Sequence, residues 1–292
     1  MNKIFALGFF DGVHLGHQAL LKSCCELAEQ MDACPCAITF QQHPQSLFSQ
    51  NPPKLINTNE DRLRLIRQYD IGQVYAYPVT RDIMGMHWEN FLKELISCDA
   101  VGFVCGNDFR FGNQGGGDAR KLETFCRERN LAFRMVGDQM LDGIRVSSTH
   151  IRRLLEAGEM EQAVRFMGHP HILTGEVISG RRIGHTIGVP TANLALPEEV
   201  LCPKLGVYAC QAVIGHDRYP AVTNIGFRPT VGGHHVTVEP WILNFEGDLY
   251  GKTLTLEFHS FLRAERKFES LEELKAEIQK NAVQTLEFFE KT

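Results

Sequence analysis

The 292-residue sequence contains no C-x-x-C pair, no apolar run of membrane-spanning length and no excess of positive charge. Each absence removes a class of protein. The nine cysteines are scattered, with one adjacent pair (Cys24, Cys25) and one C-x-C (Cys34, Cys36). An odd, dispersed set argues against a full disulfide framework and points to a reducing cytoplasm. The opening residues, Met1-Asn2-Lys3-Ile4-Phe5-Ala6-Leu7-Gly8, hold too short an apolar core for a signal peptide, and acidic Asp11 follows. Without an apolar run near 20 residues, no membrane span is expected. A net charge of −5 gives no bulk attraction to nucleic acid or to anionic membrane. Any phosphate-bearing ligand must therefore be held by local groups. Repeats and low-complexity tracts are also missing.

What is present is an ordinary globular composition, 43% hydrophobic and 22% charged, in a chain long enough for two domains. Roughly the first 165 residues alternate apolar runs with amphipathic stretches. Strands are expected at 4–10, 36–40, 72–77 and 101–105, and helices at 18–30, 63–69, 88–96, 120–130 and 151–166. Such alternation implies a parallel sheet with helices on its faces. After Gly168, β-rich segments at 172–177, 207–213, 222–225, 236–243 and 254–261 are separated by turn residues. They suggest a mainly antiparallel barrel or sandwich. Ser270 is a plausible N-cap for a final amphipathic helix. The boundary is expected between 167 and 168, giving domains 1–167 and 168–292.

Three segments of the first half carry chemistry. Gly8-Phe9-Phe10-Asp11-Gly12-Val13-His14-Leu15-Gly16-His17 lies where the first strand turns into the first helix, the place where open parallel sheets bind ligands. A helix N-terminus there suits phosphate, glycines allow close backbone approach, and His14 and His17 add directional donors. Two histidines three apart could also ligate zinc, but no third and fourth ligand stand at a familiar spacing. Cys105-Gly106-Asn107-Asp108-Phe109-Arg110-Phe111-Gly112 offers a polar group among aromatics, which equally suits a core. Ser147-Ser148-Thr149-His150-Ile151-Arg152 joins a hydroxyl-rich helix start to a guanidinium one turn later, a triphosphate clamp or a simple N-cap.

The second half has a glycine-spaced basic stretch from Gly180 to Asn193, containing Arg181, Arg182 and Gly184. Thr191 and Asn193, two apart, face the same way if the segment is extended, and both offer hard oxygens suited to a nucleotide-bound Mg²⁺. Gly247-Asp248-Leu249-Tyr250-Gly251-Lys252-Thr253 mimics a P-loop with one residue too few, and a strand pattern follows it, so it reads as a turn.

His14-Leu15-Gly16-His17 resembles the H-x-G-H signature of the nucleotidyltransferase superfamily. The Asp108 and Ser148 segments resemble the G-x-D-F-R-F-G and S-S-T-x-I-R motifs of bacterial FAD synthetases. Thr39-Phe40-Gln41-Gln42-His43-Pro44 resembles their T-F-x-P-H-P, with Gln42 in place of proline. The series Gly188-Val189-Pro190-Thr191-Ala192-Asn193, Asn224-Ile225-Gly226-Phe227-Arg228-Pro229-Thr230, Val238-Glu239 and Phe261-Leu262-Arg263-Ala264-Glu265 resembles riboflavin kinases. The resemblance spans about residues 4–285. It implies an α/β Rossmann-like nucleotidyltransferase domain followed by a mainly antiparallel six-stranded β-barrel with a C-terminal helix. It further implies phosphorylation of riboflavin to FMN with ATP, then adenylyl transfer to FMN giving FAD and pyrophosphate, with Mg²⁺ accompanying ATP.

By motif, His14 and His17 would serve adenylyl transfer, and Glu239 would be the kinase base. Gly8, Phe9, Asp11, Gly16, Ser148, Thr149, Arg152, Gly180, Arg181 and Gly184 would bind ATP. Asp108, Phe109, Arg110, Phe111 and Arg263 would bind flavin, and Thr191 and Asn193 the metal. Partners would be riboflavin, FMN, FAD and ATP/ADP, with neither nucleic acid nor membrane. Departures are Val189, Pro240-Trp241 and Asn281, where the family commonly has Phe, a small or β-branched residue then His or Tyr, and Asp. Rivals are a riboflavin kinase with an inactive adenylyltransferase domain, a non-catalytic flavin binder, and an H-x-G-H transferase for another phosphate ester.

Overall fold

The computed structural model describes residues 1–178, 189–230 and 233–291. The chain divides into two compact units, one of residues 1–55 and 59–148, the other of residues 56–58 and 149–292.

In the first unit the elements run β1 (Lys3–Leu7), α1 (Leu15–Gln30), β2 (Cys34–Phe40), α2 (Asn59–Arg67), β3 (Gln73–Tyr77), α3 (Arg81–Gly85), α4 (Trp88–Ser97) and β4 (Ala100–Gly106). Then follow β5 (Arg110–Phe111), β6 (Gly117–Asp118), α5 (Ala119–Glu128), β7 (Ala132–Val136) and the small strands β8 (Met140–Leu141) and β9 (Ile144–Arg145). Five strands form an all-parallel sheet in the order β3-β2-β1-β4-β7. Central β1 is buried on both sides, as a strand covered by helices on both faces must be. Phe5, Leu7, Ile38 and Phe103 pack with Leu92, Leu95, Leu122 and Phe125 in one core cluster. Burial of each such side chain contributes about 1.5–3 kcal/mol. The strand order reverses direction between β1 and β4, so the crevice beyond their carboxyl ends is the expected ligand position.

Next along the chain come α6 (Ser148–Ala157), all but its first residue in the second unit, and α7 (Met160–Met167). The sequence reading of one helix over 151–166 is corrected here. Gly158 adopts φ +79, which ends α6, and a Cβ on it would lie 2.6 Å from the Lys204 side chain. Lys204 completes this helix end, its N–H donating to Leu155 O at 3.0 Å and its Nζ to Ala157 O at 3.2 Å.

Strands β10 (His171–Glu176), β11 (Leu194–Ala195), β12 (Gly206–Ile214), β13 (Asp217–Thr230), β14 (Gly233–Ile242) and β15 (Thr253–Ala264) form a six-stranded antiparallel sheet in the order β10-β15-β12-β13-β14-β11. A bridge between Val177 and Leu194 joins the two edges, so the sheet nearly closes into a barrel. Tyr208, Cys210, Ala212, Ile225, Val238, Leu256 and Phe258 are buried within it. Helix α8 (Leu271–Glu290), capped by Ser270 Oγ accepting from Glu273 N–H, lays Ala282 and Leu286 against Val207, Val222, Trp241, Leu243 and Leu262. The P-loop mimic is indeed a turn, since Thr253 opens β15 rather than a helix. The sequence pattern missed β7 and two-residue β11; the latter is too short to show alternation.

His171 starts β10, is 1% exposed, stacks near Phe258 and has no hydrogen-bond partner at Nδ1. Burial holds its pKa down at about 3, against 6.5 when free. Between these values the unfolded chain binds a proton that the folded one refuses. Stability is therefore fully present above pH 6.5 and lost as pH falls toward 3, by up to about 1.4 kcal/mol per pH unit from this group. Urea melts between pH 7 and 4 should show that slope, and a His171→Asn variant should show a shallower one.

Candidate functional sites

The loop between β1 and α1 is strained where it is most useful. Phe10 (φ 59) and Val13 (φ 37) are non-glycine residues in the left-handed region, flanking Gly12 (φ 81), and both side chains are fully buried. Burial of those two side chains holds the turn in this shape. His14 is the N-cap of α1, and its Nδ1 accepts from His17 N–H at 3.3 Å. The His14 and His17 rings stack at 3.6 Å and 15°, with Phe10 edge-on to His17 at 5.4 Å. A Cβ at Gly16 would sit 3.2 Å from the His14 ring, so glycine is what admits this stacking. Burial, then the neighbouring His14 and Arg62, push the His17 pKa well below 6.5. The imidazole is thus neutral at pH 7 and can donate one hydrogen bond without being an acid. Its Nδ1 is buried and has no partner.

Around the turn, Asp11 is 1% exposed, and its carbonyl accepts the Ser148 hydroxyl at 2.9 Å. Thr39 Oγ1 donates to Phe9 O at 2.7 Å, and His43 meets the Phe9 ring edge-on at 5.1 Å. Gln42, where proline was expected, accepts from Val79 N–H at 3.0 Å, a compensating bond. Gly8 pairs with the second strand through its N–H to Ile38 O at 3.3 Å. Thr149 and Arg152 lie on α6, beyond Ser148, and are grouped with the C-terminal unit.

Register aligns Leu7 with Cys105, so Gly8 and Gly106 leave the sheet side by side. The H-x-G-H turn and the Asp108 segment therefore flank the switch point together. Asp108 is exposed and pairs with Arg145, which also binds Asp138 at 2.9 Å. Phe111 is buried against Trp88 and Phe91, and Phe109 stacks on it at 5.3 Å and 15°. Phe111 is thus a core residue, and Phe109 is half-buried, while Arg110 is exposed on β5 opposite Asp118. A Cβ on Gly112 would lie 2.6 Å from the Trp88 backbone, so glycine permits the close fold of this segment.

Arg62 is the residue the sequence reading missed. It is fully buried on α2, its guanidinium 4.5 Å from the Phe9 ring. Its spacing to Leu65 and Ile66 (i+3, i+4), both buried, would have flagged it, had the helix been started before residue 63.

In the barrel, Leu194 pairs with Val238, and Ala192 N–H donates to Pro240 O at 3.0 Å. That antiparallel register sets Asn193 opposite Glu239, on one face of neighbouring strands. Asn224 lies opposite Glu239 on the other side. Glu239 Oε1 accepts from Thr237 Oγ1 at 3.1 Å. Asn193 is 6% exposed, yet its Oδ1 has no hydrogen-bond partner. Thr191 is half-buried. An orphaned amide oxygen beside a hydroxyl and a carboxylate is a donor set that fits a hard divalent cation. A cleft of about 540 Å³ lined by Pro190, Trp241, Ile242, Asn244, Phe245 and Glu246 opens next to this segment. Pro240 keeps its place in β14 and serves as an acceptor.

Arg263 is turned toward α8. Its Nε donates to Asn281 Oδ1 at 3.0 Å and lies 3.4 Å from Glu277 Oε1. Asn281, where the resemblance leads to an expected aspartate, thus still receives the arginine. Gly180, Arg181 and Gly184 lie outside the described residues.

The candidate residues thus lie on two unrelated folds, one set at a parallel-sheet switch point and one on a barrel face. Residues 1–150 match the family model described as FAD synthetase, and residues 167–289 the one described as riboflavin kinase. A bifunctional riboflavin kinase/FMN adenylyltransferase of Listeria monocytogenes is 32% identical, over 100% of this chain and 94% of its own length. One from Escherichia coli strain K12 is 33% identical, over 98% and 92%. A solved structure described as a macrolide-efflux protein from Streptococcus pneumoniae superposes with a TM-score of 0.88 at 26% identity, covering 97% of this chain and 93% of that one. Among the described residues no helix is long and apolar enough to cross a membrane. The chain belongs to the bifunctional riboflavin kinase/FMN adenylyltransferase family, and it is an enzyme with a kinase module and a nucleotidyltransferase module.

Proposed function

We propose that the barrel phosphorylates riboflavin to FMN with ATP, and that the N-terminal sheet then adenylylates FMN to FAD. The observation that carries this reading is the register that sets Asn193 opposite Glu239, in a chain whose other half sets His14-Leu15-Gly16-His17 at a switch point. In the kinase step the Glu239 carboxylate accepts the proton of the riboflavin 5′-hydroxyl as that oxygen attacks the γ-phosphorus and ADP leaves. Thr191 and Asn193 would hold Mg²⁺, which when bound neutralises charge on the ATP phosphates. Gly180, Arg181 and Gly184 would cover the phosphates, and Trp241 and Phe245 supply apolar walls suited to a base.

In the transfer step a phosphate oxygen of FMN attacks the α-phosphorus of ATP, and pyrophosphate leaves. Positioning and charge stabilisation carry that reaction. Gly8, Phe9, Asp11 and Gly16 shape the turn that receives ATP, with Ser148, Thr149 and Arg152 at the start of α6. His14 orients His17 by stacking, and neutral His17 donates to the developing charge. Asp108, Phe109 and Arg110 border the flavin in this module, with Phe111 as their support, and Arg263 does so in the barrel. We put the module boundary between 167 and 168, where Gly168 (φ 73) ends α7, further along the chain than the 148/149 division of the compact units. A reducing cytoplasm suits nine free thiols.

Incubation of the purified protein with riboflavin and Mg·ATP, with separation of products, is expected to show FMN first and FAD later. FMN without FAD would make the N-terminal module inactive, and neither product would refute the reading.

A further inference from the structure

A buried arginine normally uses its whole fork, because each N–H left without a partner in the interior costs stability. Arg62 does not. Its Nη2 donates to Phe40 O, to Gln41 O at 3.2 Å and to Asn59 Oδ1 at 3.0 Å, while Nε and Nη1 have no partner although both are buried. A purely structural strut of this kind would satisfy its remaining donors with backbone or carboxylate oxygens. The group stays charged, since burial lowers its pKa only to about 10 and nearby Asp11 supports the positive form. It stacks on Phe9, a residue of the β1–α1 turn, and its charge is felt by His17, whose Nδ1 is the other orphaned nitrogen there. Three buried, unused nitrogens thus gather beside a turn already shaped for phosphate. An anionic phosphate oxygen is the ligand that a charged, unpartnered guanidinium N–H fits.

We propose that Arg62 binds a phosphate oxygen directly during adenylyl transfer, through one of its unpartnered N–H donors, at Nε or at Nη1, and is a catalytic residue of that step. The inference rests on placing the ATP phosphates at the Gly8–His17 turn. The oxyanion belongs either to the adenylyl donor or to FMN, and kinetics separate the two.

The test compares wild type, Arg62→Met, Arg62→Lys and His17→Ala as full-length chains, supplied with FMN and Mg·ATP. Thermal melting is recorded for each, and turnover is repeated with the two ATP diastereomers carrying sulfur on the α-phosphorus. Arg62→Met is expected to lose about 10²–10³-fold in kcat/KM for FAD formation with its melting temperature retained. Arg62→Lys should lose less, because the charge remains but the fixed N–H directions of the guanidinium do not. A raised KM confined to ATP with an altered diastereomer preference identifies the α-phosphate; a raised KM confined to FMN identifies the FMN phosphate. A loss below about threefold in Arg62→Met, if it folds, overturns the proposal. Should Arg62→Met not fold, Arg62→Lys decides, and unchanged constants with unchanged diastereomer preference overturn it. Full activity in His17→Ala would instead refute the placement of ATP on which this rests.

Discussion

Glu239→Gln is expected to lower FMN formation by about 10²–10⁴-fold, the usual contribution of a general base, with FMN-to-FAD conversion unchanged. Glutamine keeps the shape and an acceptor oxygen for Thr237 Oγ1, which lies 3.1 Å from Glu239 Oε1. What it removes is the capacity to take a proton as the 5′-hydroxyl attacks. The substitution also leaves the β13–β14 ladder intact, because backbone atoms make it. Supplying riboflavin and then FMN to the same preparation, with Mg·ATP, separates the two steps. Loss of both activities together would contradict separate sites.

His17→Ala is the reverse case. FAD formation from FMN should fall by about 10²–10³-fold, as when one preorganised donor to a developing negative charge is removed. Riboflavin should still become FMN, which then accumulates. Because burial and the neighbouring His14 and Arg62 keep His17 neutral, its contribution should not decline as pH rises through 6.5. A wild-type adenylyl-transfer rate that dropped with a midpoint near that value, and lost the drop in His17→Ala, would mean that the imidazolium is the active form. An undiminished FAD yield in His17→Ala would remove the residue from the mechanism.

Much of both candidate sites is legible in the sequence. Gly12, Gly16 and the two histidines announce a backbone that must bend sharply and carry polar rings, and the fold places them at the turn after β1. Thr191, Asn193 and Glu239 look bland singly, and form the proposed kinase site only when β11 is paired with β14. That pairing joins residues about 45 positions apart through a two-residue strand, which no local periodicity can reveal. Arg62 escaped for a different reason. A charged residue on an amphipathic helix is normally read as solvated, and only its burial with two idle nitrogens tells otherwise. In the Asp108 segment the order of residues was clear but the division of labour was not. Phe111 sits in the core, and Asp108 holds Arg145, a residue 37 positions away.

Asn193 and Glu239 face each other across neighbouring strands, so the kinase chemistry proposed for them depends on counting residues correctly. Deleting one residue from β14 ahead of Thr237 would slide the strand by one step against β11 and β13. Val238 would then occupy the catalytic face, and the carboxylate would point into the barrel. Turnover of riboflavin thus works as a ruler for strand alignment. A library of insertions and deletions in the barrel could be sorted by FMN fluorescence into those that preserve the frame and those that shift it.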